Sequence, residues 1–114
     1  MHEQELKAAG IDYDAALERF VGNAMLYERF LKKFIDDKHA EDARKAYEKR
    51  DYADLLEQVH ALKGVAGTLG MGALYETSAE LVDVLRNGKQ ENLEEMLERI
   101  EAEHGKMIQV LQNK

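Results

Sequence analysis

The sequence contains no cysteine, no proline and no tryptophan. Without cysteine there is no disulfide framework, no thiolate nucleophile and no cysteine-based metal site. A reducing, cytoplasmic setting is expected on that ground. Without proline nothing removes a backbone donor or clashes with a preceding turn, so long unbroken helices are permitted. Long apolar runs are missing too: no stretch approaches the roughly 20 residues that a membrane-spanning helix requires, and "MHEQELKAAG" lacks a signal-peptide apolar core. Positive charge is scarce, with 16 Lys and Arg against 23 Asp and Glu, a formal net charge of −7. Nucleic-acid binding rewards clustered Lys and Arg, so that class of partner is disfavoured, and no polybasic membrane patch is present.

What remains is a chain that is 45% hydrophobic and 34% charged, the composition of a folded domain and too apolar for disorder. Its 114 residues suit one core, giving a single domain over 1–114. Helical spacing dominates, with no convincing period-two alternation. A short first helix is predicted from Asp12, carrying Ala16, Leu17, Phe20 and Val21, with Gly22-Asn23 as its stop. The next repeats apolar residues at Leu26, Tyr27, Phe30, Leu31, Phe34 and Ile35. Residues 36–50 extend it, with or without a break near Lys38 and His39. A third helix runs from Asp51 to about Gly70, and "GMG" turns the chain back antiparallel. A fourth ends at Asn87-Gly88, and the last begins at an Asn92–Glu95 capping pair. The predicted fold is all-α: an antiparallel up-down four-helix bundle with an additional short N-terminal helix.

Within the third helix lies "HALKGVAGTLG", residues 60–70. Each residue turns a helix by about 100°, which puts Leu55, Val59, Leu62, Ala66 and Leu69 roughly 180–260° from His60. Those five are the expected buried stripe, leaving His60 outward. Ala53, Leu56, Lys63, Gly64 and Gly67 share its side, Leu56 as an exposed leucine. Each interior glycine costs about 1 kcal/mol relative to alanine. The glycines open the approach of a partner to the imidazole, allow close helix packing, or mean little, and their place opposite the core weakens the packing explanation. A neutral imidazole, well populated at pH 7, is a nucleophile. Lys63, one turn on, can stabilise an anion on the ring. A phosphoryl group fits that pairing, since its transfer needs positioning and electrostatic support above all.

"HALKGVAGTLG" resembles the signature of histidine-containing phosphotransfer (HPt) domains, as do the lead-in "DYADLLEQVHALKG" and the N-terminal stretch "GIDYDAALERFVGNAMLYERFLKKF". The resemblance implies that His60 accepts a phosphoryl group from the aspartate of one response-regulator receiver domain and relays it to another. It makes Lys63 the electrostatic stabiliser and Gly64 the gap for the partner. The receiver would supply Mg²⁺, with no cofactor bound by this chain. Members often add a polar side chain from the following helix, expected near Val82, which cannot serve; Arg86, one turn later, is a secondary candidate, as is Gly67. Leu56, Leu17 and Val21 form the expected apolar docking set. Partners would be receiver domains and, in some relays, a hybrid sensor histidine kinase; a monomer is expected.

No nucleotide loop or kinase metal motif is present, so no ATP-dependent kinase activity is expected. The alternatives are a non-catalytic helical module that docks a receiver or kinase, or a phosphoacceptor domain excised from a hybrid or chemotaxis-type kinase. His2 is terminal, His39 is expected to be solvated and His104 partly buried. No two histidines form an i, i+4 pair, which argues against zinc. The tyrosines at 13, 27, 47, 52 and 75 are expected at the rim of the core, and Ser78 follows the core spacing.

Overall fold

A computed structural model describes residues 3–112, which form seven α-helices: α1 (Glu3–Ala8), α2 (Tyr13–Arg19), α3 (Ala24–Phe34), α4 (His39–Glu48), α5 (Tyr52–Leu69), α6 (Gly72–Arg86) and α7 (Leu93–Gln112). The all-helical reading holds; among the described residues the only β-type pairing is an isolated bridge between Ile11 and Met71. Helix α5 packs against α4, α6, α2 and α3, and α7 closes the core against α6, α4 and α3.

Helices α2, α3 and α5 start where short polar side chains satisfy free backbone donors. Asp12 accepts from the Ala15 N–H at 3.2 Å, Asn23 from Leu26 at 3.0 Å and Asp51 from Asp54 at 3.1 Å. The break left open in residues 36–50 falls between α3 and α4. There the Asp37 carboxylate accepts from both the backbone N–H and the Nδ1 of His39 at 2.9 Å. His39 is thus half-buried and paired, where solvation was expected. The Asn92 cap does not form either. Asn92 adopts a left-handed backbone at φ 60, and its carbonyl, not its side chain, accepts from Met96.

The core is aliphatic, with Leu31, Leu55, Leu62, Leu74, Leu81, Leu97, Ile100 and Leu111 all essentially inaccessible. Each such side chain contributes about 1.5–3 kcal/mol by leaving water. Tyr27 and Tyr13 lie inside this core and not at its rim. The Tyr27 hydroxyl donates to the Leu69 carbonyl at 2.7 Å, and burial pushes its pKa upward. On the far side, Arg44 of α4 grips α7, its Nε and Nη2 donating to Glu101 at 2.8 and 2.6 Å and its Nη1 to Glu94 at 2.6 Å. Helix α1, absent from the sequence reading, buries only Leu6. His2 lies outside the described residues. Among those described, no helix is long and apolar enough to cross a membrane.

Candidate functional site

Helix α5 is held at both ends. Asp51 caps its start, and its end is a left-handed glycine, Gly70 at φ 81, with the Met71 N–H donating back to the Ala66 carbonyl at 2.9 Å. That pattern satisfies the last carbonyls of a helix and favours glycine, which carries no Cβ. The chain also passes so close that a Cβ on Gly70 would stand 2.7 Å from the Asp12 carbonyl oxygen. In return the Asp12 N–H donates to the Gly70 carbonyl at 2.8 Å, and Tyr27 holds Leu69.

Between these anchors the expected inward stripe is observed: Leu55, Val59, Leu62, Ala66 and Leu69 are all buried. His60 points the other way and is exposed. Lys63, one turn on, is half-buried, and Gly64 is exposed. A Cβ on Gly64 would meet nothing within 4 Å, so no neighbour within the chain requires glycine there. Gly67 is different. A Cβ there would lie 3.0 Å from Cδ1 of Tyr75 on α6, so packing accounts for this glycine. Close packing therefore applies to Gly67 and not to Gly64.

Gly64 separates two grooves. One, of about 530 Å³, is largely apolar and lies between α3 and α5, lined by Phe30, Lys33, Phe34, Ala61, Val65 and Leu69 among others. The second holds Arg19, Asp12, Thr68 and Tyr75. Phe30, one of the apolar repeat of α3, is 42% exposed on the groove wall.

The other candidates fall unevenly around this centre. The Gly67–Tyr75 contact sets the register of the antiparallel α5–α6 pair, which brings Val82 about level with His60. Val82 is completely buried, so it presents nothing to the imidazole. Arg86 is exposed in the last turn of α6. Leu56 is not the exposed leucine expected: it is half-buried and packs against the core, as does Leu17. Val21 does not belong to a helix. Helix α2 ends at Arg19, and Val21 occupies the following turn at φ 54 with 92% of its surface exposed. For a β-branched residue that backbone region costs roughly 1–2 kcal/mol.

The remaining histidines lie apart from this site. His104 on α7 is half-buried edge-on to Phe34, ring centroids 5.5 Å apart, with its Nε2 buried and unpartnered. Desolvation lowers its pKa, against the opposing pull of Asp37 and Glu101. The buried Ser78 hydroxyl likewise has no partner. Among the described residues no group of three His, Asp or Glu side chains is arranged to hold a metal ion.

No curated protein and no solved structure matches the chain. A family model described as the Hpt domain matches residues 29–113, which take in the second half of α3 and the whole of α4, α5, α6 and α7, with His60, Lys63 and Gly64 inside. An outward histidine on a helix pinned at both ends, bare at Gly64, lies within a match that spans most of the sequence, and the chain belongs to the Hpt domain family.

Proposed function

We propose that the chain is a phosphorelay intermediate in which His60 receives a phosphoryl group from a receiver-domain phosphoaspartate and passes it to another receiver aspartate. The family places it in His-Asp phosphorelay signalling; the exposed imidazole beside an open Gly64 is the observation that supports His60 as its carrier. The unprotonated ring nitrogen attacks phosphorus in line while the P–O bond to the aspartate breaks, and the carboxylate leaves. The other ring nitrogen keeps its proton. Lys63 faces the anionic oxygens of the phosphoimidazole, and Gly64 leaves the space that the receiver needs to bring its carboxylate into line. The return step is the same path reversed onto a second receiver.

Mg²⁺ belongs to the receiver in this reading, and the chain contributes neither ATP binding nor kinase activity of its own. The fold that accompanies it is an up-down bundle of four principal helices, acting as a cytoplasmic monomer. Arg86 is a secondary candidate for contact with the phosphoryl group, and the half-buried edges of Leu56 and Leu17 flank the docking face.

A non-catalytic docking module is the alternative, and one experiment separates the two. The chain is incubated with a phosphorylated receiver beside a His60→Gln variant, and the label is tested for stability in acid and base. Acid-labile, base-stable phosphate on the native chain alone supports the relay. Equal label on the variant removes His60 from it, and absence of label with retained binding selects the docking module.

A further inference from the structure

The ring of His104 sits edge-on to Phe34, and its Nε2 is buried without a hydrogen-bond partner. A neutral imidazole suits that seat, since the tautomer with its proton on Nδ1 leaves only a lone pair unpaired at Nε2. An imidazolium donates from both nitrogens. A charged N–H buried with no acceptor costs far more than a lone pair. Two carboxylates bear on the ring: Asp37, from the α3–α4 connection, and Glu101, one turn back on α7. Both are already engaged. Asp37, with 14% of its side chain exposed, accepts from the His39 backbone N–H at 2.9 Å and from His39 Nδ1 at 2.9 and 3.0 Å. Any charge on His39 tightens that pair further. Glu101 is held by two nitrogens of Arg44, at 2.8 and 2.6 Å. Lys33, the nearest cation on the same groove, lies instead over the Phe30 ring. Phe34, which backs His104 on one side, lines the groove of about 530 Å³ on the other, together with Asp37, Ala61 and Gly64. The seat of His104 is thus the rear of a wall whose front borders the phosphoryl site.

We propose that His104 is an acid-released latch: on protonation its ring leaves Phe34 for water, and the groove wall beside Gly64 loosens. The proton comes from solvent, and no bond other than N–H forms or breaks. The movement stands on the packing of α7 against α3. Its consequence, slower loading of His60 by a receiver in acid, rests on the phosphotransfer reading above.

The test reads movement and consequence separately. Ring resonances of His104 and Phe34, and the Gly64 amide, are followed from about pH 8 to about pH 5, the range in which histidines charge. A His60→Gln chain is used so that this neighbouring ring adds no titration of its own. The cross-peak between His104 and Phe34 should fade as His104 titrates, and the Gly64 amide should move with the same midpoint. Adding His104→Phe, which keeps a ring against Phe34 and cannot charge, should abolish the Gly64 movement. For the consequence, chains with His60 intact are loaded from a phosphorylated receiver and from phosphoramidate, a small donor. The ratio of the two rates should fall about threefold further in acid for the native chain than for His104→Phe, the scale of one aromatic contact. Taking the ratio removes the protonation of His60, and comparing the chains removes that of the receiver. A His104–Phe34 contact that survives the titration overturns the latch, as does an equal Gly64 movement in His104→Phe. Equal loading ratios overturn its link to the site. A native chain that no donor labels sinks the phosphotransfer reading, while the resonances still decide the movement.

Discussion

A Cβ on Gly67 would stand 3.0 Å from Tyr75, whereas one on Gly64, a turn earlier, would touch nothing within 4 Å. Two glycines on one helix face are thus opposite in kind. Alanine at 64 should stabilise the fold by about 0.5–1 kcal/mol through helix propensity, and slow phosphoryl loading. Alanine at 67 should gain little, because the Tyr75 ring must move. Urea unfolding of both variants, and of Gly67→Ala combined with Tyr75→Ala, measures this. Equal gains at the two positions would show that the ring yields freely.

Tyr27→Phe removes the buried donor to Leu69 at the end of α5. A loss of about 1–2 kcal/mol is expected, the range for stranding a buried carbonyl. Chemical denaturation reads it directly. A neutral result would mean that water replaces the hydroxyl.

Arg44 meets Glu101 through two nitrogens and Glu94 through a third, with 23% of its side chain exposed. Both carboxylates are more exposed than the guanidinium, so screening limits the net value to about 1 kcal/mol. A double-mutant cycle between Arg44→Met and Glu101→Gln should return that coupling and weaken in high salt. A coupling near zero would leave the grip of α4 on α7 to packing.

His104 sets a pH dependence. Burial lowers its pKa from the ordinary 6.5, so the unfolded chain binds more protons than the folded one once pH falls below that value. Stability should be fully present above about pH 6.5 and decline as acid approaches the folded pKa. His104→Leu should flatten that limb in urea midpoints taken from pH 7.5 to 5. An unchanged slope would assign it to the carboxylates.

The inward stripe of α5 was legible because its apolar residues repeat at helical spacing, and the outward direction of His60 followed from the same wheel. What escaped depended on neighbours in space. Gly67 looks identical to Gly64 until α6 brings Tyr75 against it. Leu56 has an exposed wheel position, yet core residues reach it. Helix α1 is six residues long with one buried side chain, too short for periodicity to register. Val21 suited a continuing helix by pattern, yet the helix ends two residues before it, at Arg19. His39 was misjudged because Asp37, two residues away, folds back onto its ring.

The anchoring of α5 at Asp51 and at Gly70 leaves its middle with no slack. On the relay reading, gaining or losing a phosphoryl group there gives the helix nowhere to go, so the stored message is a covalent bond and not a change of shape. Amide resonances distant from His60 should then coincide in the charged and uncharged chains, and any sensing of the difference must be done by whichever receiver touches it.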